Sequence, residues 1–192
     1  WLTVLQLYGT MSFEEVVQPS LEAAKNGFPV PDSYVKAVDT DIEELKSWSY
    51  TAEQFIPGGT RLKAGQKLVQ TNLASTFEHL IAVERKNASK GRTSAVKSAR
   101  DEFYKGDIAR EIARFSTELG GLLSMKDLQD FNVEVEVPPL GSYKDYEIAT
   151  CGFWSQGPLM IQVLNMLEKI NLPAFGHNSN EYIHMLVEIM KL

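Results

Sequence analysis

Glu102-Phe-Tyr-Lys-Gly106, Gly120-Gly-Leu-Leu-Ser-Met-Lys-Asp127, Pro138-Pro-Leu-Gly-Ser-Tyr-Lys-Asp-Tyr-Glu147 and Trp154-Ser-Gln-Gly-Pro158 follow one another in a stretch that closes at Glu168. Asp107 is predicted to cap a helix carrying Ile108, Ile112, Phe115 and Leu119 at helical spacing, stopped by Gly120-Gly121. Ser124-Met-Lys-Asp127 caps a short helix after it. Val133-Glu-Val-Glu-Val137 alternates strictly, which predicts a strand with one wet face. Tyr146 to Thr150 is a second strand candidate, and Gly141 to Asp145 between them suggests a hairpin-like pair. Pro158 suits the first turn of a helix over Leu159 to Ile170. These blocks carry caps, turns and packing residues and no reactive constellation.

Upstream, Ser12-Phe-Glu-Glu15 has the capping-box pattern, and Val16, Val17, Leu21 and Ala24 continue it as a helix that Gly27 stops. A helix is predicted over Asp32 to Ser47, with Tyr34, Val38, Ile42 and Leu45 on one face. Phe55-Ile-Pro-Gly-Gly59 is a loop, Arg61 to Leu68 is irregular or weakly extended, and Thr71 or Asn72 caps a helix bearing Leu73, Phe77, Leu80 and Ile81. Apolar periodicity then fades while Arg85, Lys86, Lys90, Arg92, Lys97 and Arg100 accumulate. No aromatics interleave with these cations, so residues 86–100 are expected to be a solvated surface insertion rather than a nucleic-acid patch. Downstream, Asn178-Ser-Asn-Glu181 caps a final helix with Ile183, Val187 and Met190 on one face.

A length of 192 residues with 44% hydrophobic content supports a real core that buries about 70% of the unfolded surface. The net charge of −6 argues against nucleic acid or an anionic membrane as partner, and no apolar run is long enough to span a bilayer. The chain opens on Trp1 within the apolar run to Leu7 and ends without a helix-stopping residue. It is therefore expected to be an internal piece of a longer protein, a single partial domain over 1–192, of unknown compartment.

Candidate reactive groups are few. Cys151, the one cysteine, rules out an internal disulfide and reads as a small buried hydrophobe rather than a nucleophile. His79, His177 and His184 show no His-x3-His spacing, so no metal centre is expected. His184 and Glu188 stand four apart and could form an acid–base pair, but a helix-surface hydrogen bond or a contact with a missing segment accounts for them. Asp39, Asp41, Glu43 and Glu44 lack the glycine and ligand spacing of a calcium loop and read as a solvated helix face. Asn87-Ala-Ser89 matches a glycosylation acceptor, a triplet common by chance.

Taken in order, the blocks resemble the large-subunit portion of the gamma-glutamyltransferase (gamma-glutamyltranspeptidase) family over nearly the whole chain. The likeness rests on Tyr8-Gly-Thr-Met-Ser12 with Ala23-Ala-Lys-Asn-Gly-Phe-Pro-Val30, then Phe55-Ile-Pro-Gly58, Gly65-Gln66 and Leu73-Ala-Ser-Thr76. Phe103-Tyr-Lys-Gly106 with Ile108-Ala109, Gly120-Gly-Leu-Leu123 with Asp127-Leu128, Leu164-Asn-Met-Leu-Glu168 and His184-Met-Leu-Val-Glu188 complete it.

The resemblance implies an α+β chain, mainly helical with a few strands, forming part of an αββα N-terminal nucleophile hydrolase fold. It implies a precursor that cuts itself into large and small subunits, the small subunit being this piece's partner. The new N-terminal threonine attacks a γ-glutamyl amide such as glutathione, its α-amino group serving as base, and passes the acyl group to water or an amine. The threonine falls downstream of this sequence and the arginine that holds the substrate carboxylate falls upstream. No catalytic, substrate-binding or metal residue and no cofactor is assigned here, and the piece alone is expected to be inactive.

Cys151-Gly-Phe-Trp-Ser-Gln-Gly-Pro158 departs from the family pattern of several prolines, two serines and two glycines, which suggests a divergent branch. Trp154, Ser155 and Gln156 could wall a substrate channel, but the preferred reading is a strand-to-helix turn whose Trp packs on the core. Two alternatives stand beside the family's main activity: an acylase of the same superfamily with a different acyl substrate, and a non-catalytic binding or scaffold module. The apolar segments Trp1 to Leu7 and Ile183 to Leu192 are expected to show unsatisfied surface.

Overall fold

The structure is a computed structural model that describes residues 1–191. It is mainly helical, and the chain read as one partial domain divides into two compact units that meet in sequence between Asn132 and Val133.

In the first unit α1 (Leu2–Tyr8) leads into α2 (Phe13–Asn26), which begins with the predicted box: Ser12 Oγ accepts the N–H of Glu15, whose side chain accepts the N–H of Ser12. Gly27 ends α2 at φ +73, and a Cβ there would lie 2.8 Å from Val69 and 3.0 Å from the Leu68 carbonyl oxygen. Glycine is thus required both by conformation and by closeness. The strands β1 (Phe28–Pro29) and β2 (Lys67–Leu68) pair antiparallel beside it, Phe28 opposite Leu68. The helix predicted over Asp32 to Ser47 is broken into α3 (Asp32–Thr40) and α4 (Ile42–Ser47), because Asp41 leaves helical geometry at φ −110, ψ 16. Next come α5 (Ser49–Phe55) and α6 (Thr71–Lys86). Helices α2 and α6 close a core of Val17, Leu21, Ala24, Ala74 and Ile81, with Phe13 and Phe77 against it.

Residues 86–100 differ from the expected solvated insertion. From Arg92 onward they form α7 (Arg92–Lys105), which packs against α1, α6 and α8 (Asp107–Glu118). Val96 and Ala99 are fully buried and Ala95 is nearly so. The buried stripe consists of small side chains, so neighbouring helices approach closely while Lys97 faces outward. Arg92 donates to the carbonyl oxygens of Leu5 (2.9 Å) and Gln6 (3.1 Å) in the last turn of α1 and of Met11 (3.3 Å) just beyond it. The short α9 (Met125–Asp130) follows the predicted Ser124 cap, and Leu128 joins Ala109 and Ala113 in a second cluster.

The second unit holds a hairpin of β3 (Leu140–Tyr143) and β4 (Tyr146–Ala149), with Tyr143 opposite Tyr146. The hairpin is tighter and later than expected. Val133 to Val137 is not a strand; Val133, Val135 and Val137 are exposed, and the alternation finds no partner among the described residues. Helix α10 (Gly157–Leu167) lies on β3 closely enough that a Cβ on Gly141 would come within 2.6 Å of Ile161. The core here is Leu167, Leu172 and Ile189, the last from α11 (Asn180–Met190), whose N-cap is Ser179. Ile183, Val187 and Met190 are exposed, as expected for the final helix; Leu192 lies outside the described residues.

Candidate functional site

The divergent segment 151–158 is a tight turn built from its own polar groups. Ser155 donates its hydroxyl to the Gly152 carbonyl oxygen (3.1 Å) and accepts the N–H of Gly157 (3.1 Å). Both sides of that hydroxyl are committed to backbone, which is a turn-former's arrangement and not an activated nucleophile's. Gly157 is fixed by closeness, since a Cβ there would come within 2.1 Å of the Cys151 carbonyl oxygen. Two expectations fail at this turn. Trp154 does not pack on the core: its ring is 72% exposed and its indole N–H donates to Glu136 at 2.9 Å. Cys151 is exposed rather than buried. The indole's hydrogen-bonding edge, satisfied by a carboxylate from the extended segment before the hairpin, holds the ring outward.

Several other residues singled out by sequence have structural partners. Nε2 and Nδ1 being distinct, it is His184 Nδ1 that faces Glu188, 3.9 Å away, while Lys191 lies 2.6 Å from the same carboxylate. This is a surface ion-pair group and not an aligned acid–base pair. Asp39 pairs with Arg61, and Glu43 with Lys46 at 2.9 Å. Asn87 donates to the Val83 carbonyl oxygen at the end of α6 and accepts from Lys90, so its amide already caps a helix. His177 lies edge-on to Tyr182.

One grouping went unforeseen. His79 on α6, Glu102 on α7 and Asp107 in the first turn of α8 each place a potential ligand atom within 4.8 Å of the others. His79 Nε2 lies 3.0 Å from Glu102 Oε1, and the same oxygen accepts the backbone N–H of Asp107 at 2.9 Å. The Asp107 carboxylate pairs with Arg110, whose hydrogen bond and charge hold its pKa below the usual aspartate range, helped less by His79. Spacing along the chain does not signal this trio, because three different helices bring it together.

Apolar surface gathers at α1. Trp1, Val4 and Tyr8 are exposed beside Phe13, Val16 and Phe77, around a groove of about 540 Å³. This meets the expectation of unsatisfied surface over Trp1 to Leu7.

The chain as a whole is mainly helical with a short hairpin, its helices capped at Ser12, Ser124 and Ser179. The family profile described as Gamma-glutamyltranspeptidase matches residues 1–192. The chain belongs to the gamma-glutamyltranspeptidase family, and its fold is that of an N-terminal nucleophile hydrolase. It is 32% identical over 189 residues to the glutathione hydrolase proenzyme of Bacillus subtilis (strain 168), covering 98% of this chain and 30% of that protein. It is 30% identical over 193 residues to the acylase ACY 1 proenzyme of Pseudomonas sp. (strain V22), covering 100% of this chain and 32% of that protein. The crystal structure of Helicobacter pylori gamma-glutamyltranspeptidase superposes with a TM-score of 0.85 at 26% identity, covering 99% of this chain and 51% of that one. The chain thus spans about a third of the length of the curated relatives it matches.

Proposed function

We propose that this chain is the large-subunit portion of a self-cleaving acyl-transfer enzyme that hydrolyses or transfers γ-glutamyl groups from glutathione-like amides. The observation that carries the reading is the family match over residues 1–192, to which the 32% identity with a glutathione hydrolase proenzyme adds the substrate class. In this reading the nucleophile is a threonine freed by cleavage in the remainder of the protein. Its hydroxyl oxygen attacks the amide carbon, its α-amino group takes the proton, and the amine leaves as the ester forms. Water or a second amine then attacks the ester and returns the threonine.

This chain's part is to scaffold that centre. The fully hydrogen-bonded Ser155 and the ion-paired carboxylates support the assignment of no catalytic role to the residues singled out above. The similarity to an acylase supports a second reading, the same chemistry on another acyl group.

The full-length protein tests both. The expected result is two fragments on a denaturing gel, a threonine at the new N-terminus, and release of p-nitroaniline from γ-glutamyl-p-nitroanilide. Cleavage with turnover of only a non-γ-glutamyl amide selects the acylase; an uncleaved, inactive precursor overturns both readings.

A further inference from the structure

We propose that His79, Glu102 and Asp107 form a binding site for one divalent transition-metal ion, for which Zn²⁺ is the probe. The donor set is one imidazole nitrogen and two carboxylates, a combination suited to zinc, manganese and iron rather than to soft, thiolate-seeking ions. The separation fits as well as the chemistry. Two ligands on one ion with bonds of about 2.0–2.2 Å lie roughly 3.0–3.5 Å apart, and His79 Nε2 is 3.0 Å from Glu102 Oε1. An ion placed there replaces the proton those two atoms share. The Asp107 carboxylate is within 4.8 Å of both, and its side chain would turn from Arg110 toward the pair to complete the set. Three protein ligands leave further positions for water, as in an open rather than a closed structural site.

The competing account is a plain relay in which His79 donates to Glu102 and Glu102 accepts the Asp107 N–H at the start of α8. That relay makes no use of the Asp107 carboxylate. The two accounts therefore part at Arg110, which pairs with that carboxylate and competes with a cation for it. Arg110 and the positive end of α8 both oppose the ion, so binding is of modest strength and rises with pH as ligand protons are lost. The inference does not rest on the acyl-transfer reading.

The test is calorimetric titration of the chelator-treated full-length protein with ZnCl₂, beside His79→Ala, His79→Gln and Arg110→Ala variants checked for unchanged circular dichroism. Loss of a supporting partner commonly weakens metal sites tenfold or more, and loss of a direct ligand should cost at least about tenfold. The expected result is one saturable site that both His79 variants weaken by that factor and Arg110→Ala tightens several-fold. X-ray absorption should then show one imidazole nitrogen among oxygen ligands. The absence of saturable binding below about 1 mM, or equal binding by the protein and its His79 variants, overturns the site; an Arg110→Ala variant that binds no more tightly removes Asp107 from it.

Discussion

The Glu84 carboxylate accepts the backbone N–H of Phe13 at 2.6 Å, and its other oxygen accepts that of Glu14 at 2.9 Å. Glu84 is the one buried charged side chain among the described residues, 5% exposed. A carboxylate from the end of α6 thereby occupies the start of α2, where free N–H groups and the helix dipole both favour negative charge. Together with the Ser12–Glu15 box, it satisfies the donors at that end by two independent side chains.

Replacing Glu84 with Gln keeps the shape and removes the charge. One amide end must then face a backbone N–H with a donor instead of an acceptor. Glu84→Gln is expected to destabilise the protein by about 1.5–3 kcal/mol, the range for hydrogen bonds to charged groups and for buried groups left unsatisfied. Urea denaturation measures it. Glu78→Gln, which breaks only the exposed pair with Lys25, should cost under about 1 kcal/mol.

Arg92 is a single side chain holding three carbonyl oxygens around the end of α1. Arg92→Ala should release α1 from α7 and speed exchange of the α1 amides, leaving α10 and α11 unaffected. Lys restores charge but not the planar fork, so Arg92→Lys should recover only part of the protection. Hydrogen exchange followed by mass spectrometry reads both.

Much of the fold could be read because its signals are local. Ser12 with Glu15, Ser124 with Asp127 and Ser179 with Tyr182 mark helix starts through side-chain bonds to the backbone three residues on. α7 escaped because counting large apolar residues misses a stripe of Ala95, Val96 and Ala99 set among Arg92, Lys97 and Arg100. Trp154 escaped for the opposite reason: its size suggested burial, but a distant Glu136 takes its N–H and leaves the ring exposed. The strict alternation at Val133 to Val137 specifies a face and not a partner. The family showed in the order of the blocks, whereas the His79 trio depends on a 23-residue separation closed by helix packing.

If α7 is a core helix, enlarging its smallest buried side chain must disturb the unit. Ala99 is wholly inaccessible, and Ala99→Leu adds three carbons where neighbouring helices are already in contact. Overpacking typically costs about 1–3 kcal/mol. A fall in thermal midpoint is expected, whereas Lys97→Leu on the outward face of the same helix should change it little. Equal, negligible effects would return residues 86–100 to the surface.

The Ser124 cap gives a pH signature. The Asp127 carboxyl is held below the usual aspartate range, first by the hydrogen bond from the Ser124 hydroxyl and then by that from the Ser124 backbone N–H. Its folded value is therefore lower than its unfolded value, about 3.9. The contribution is fully present above the unfolded value and is lost as pH falls through the folded one. Ser124→Ala removes the hydroxyl, so the Asp127 folded value rises toward the ordinary one and the difference between the two states shrinks. Thermal midpoints measured from pH 6 downward should fall less steeply below about pH 4 for Ser124→Ala than for the unaltered protein. Asp127→Asn should flatten the same limb by removing the titrating group itself, and acid limbs of the same steepness in all three proteins would show that the box contributes nothing through Asp127.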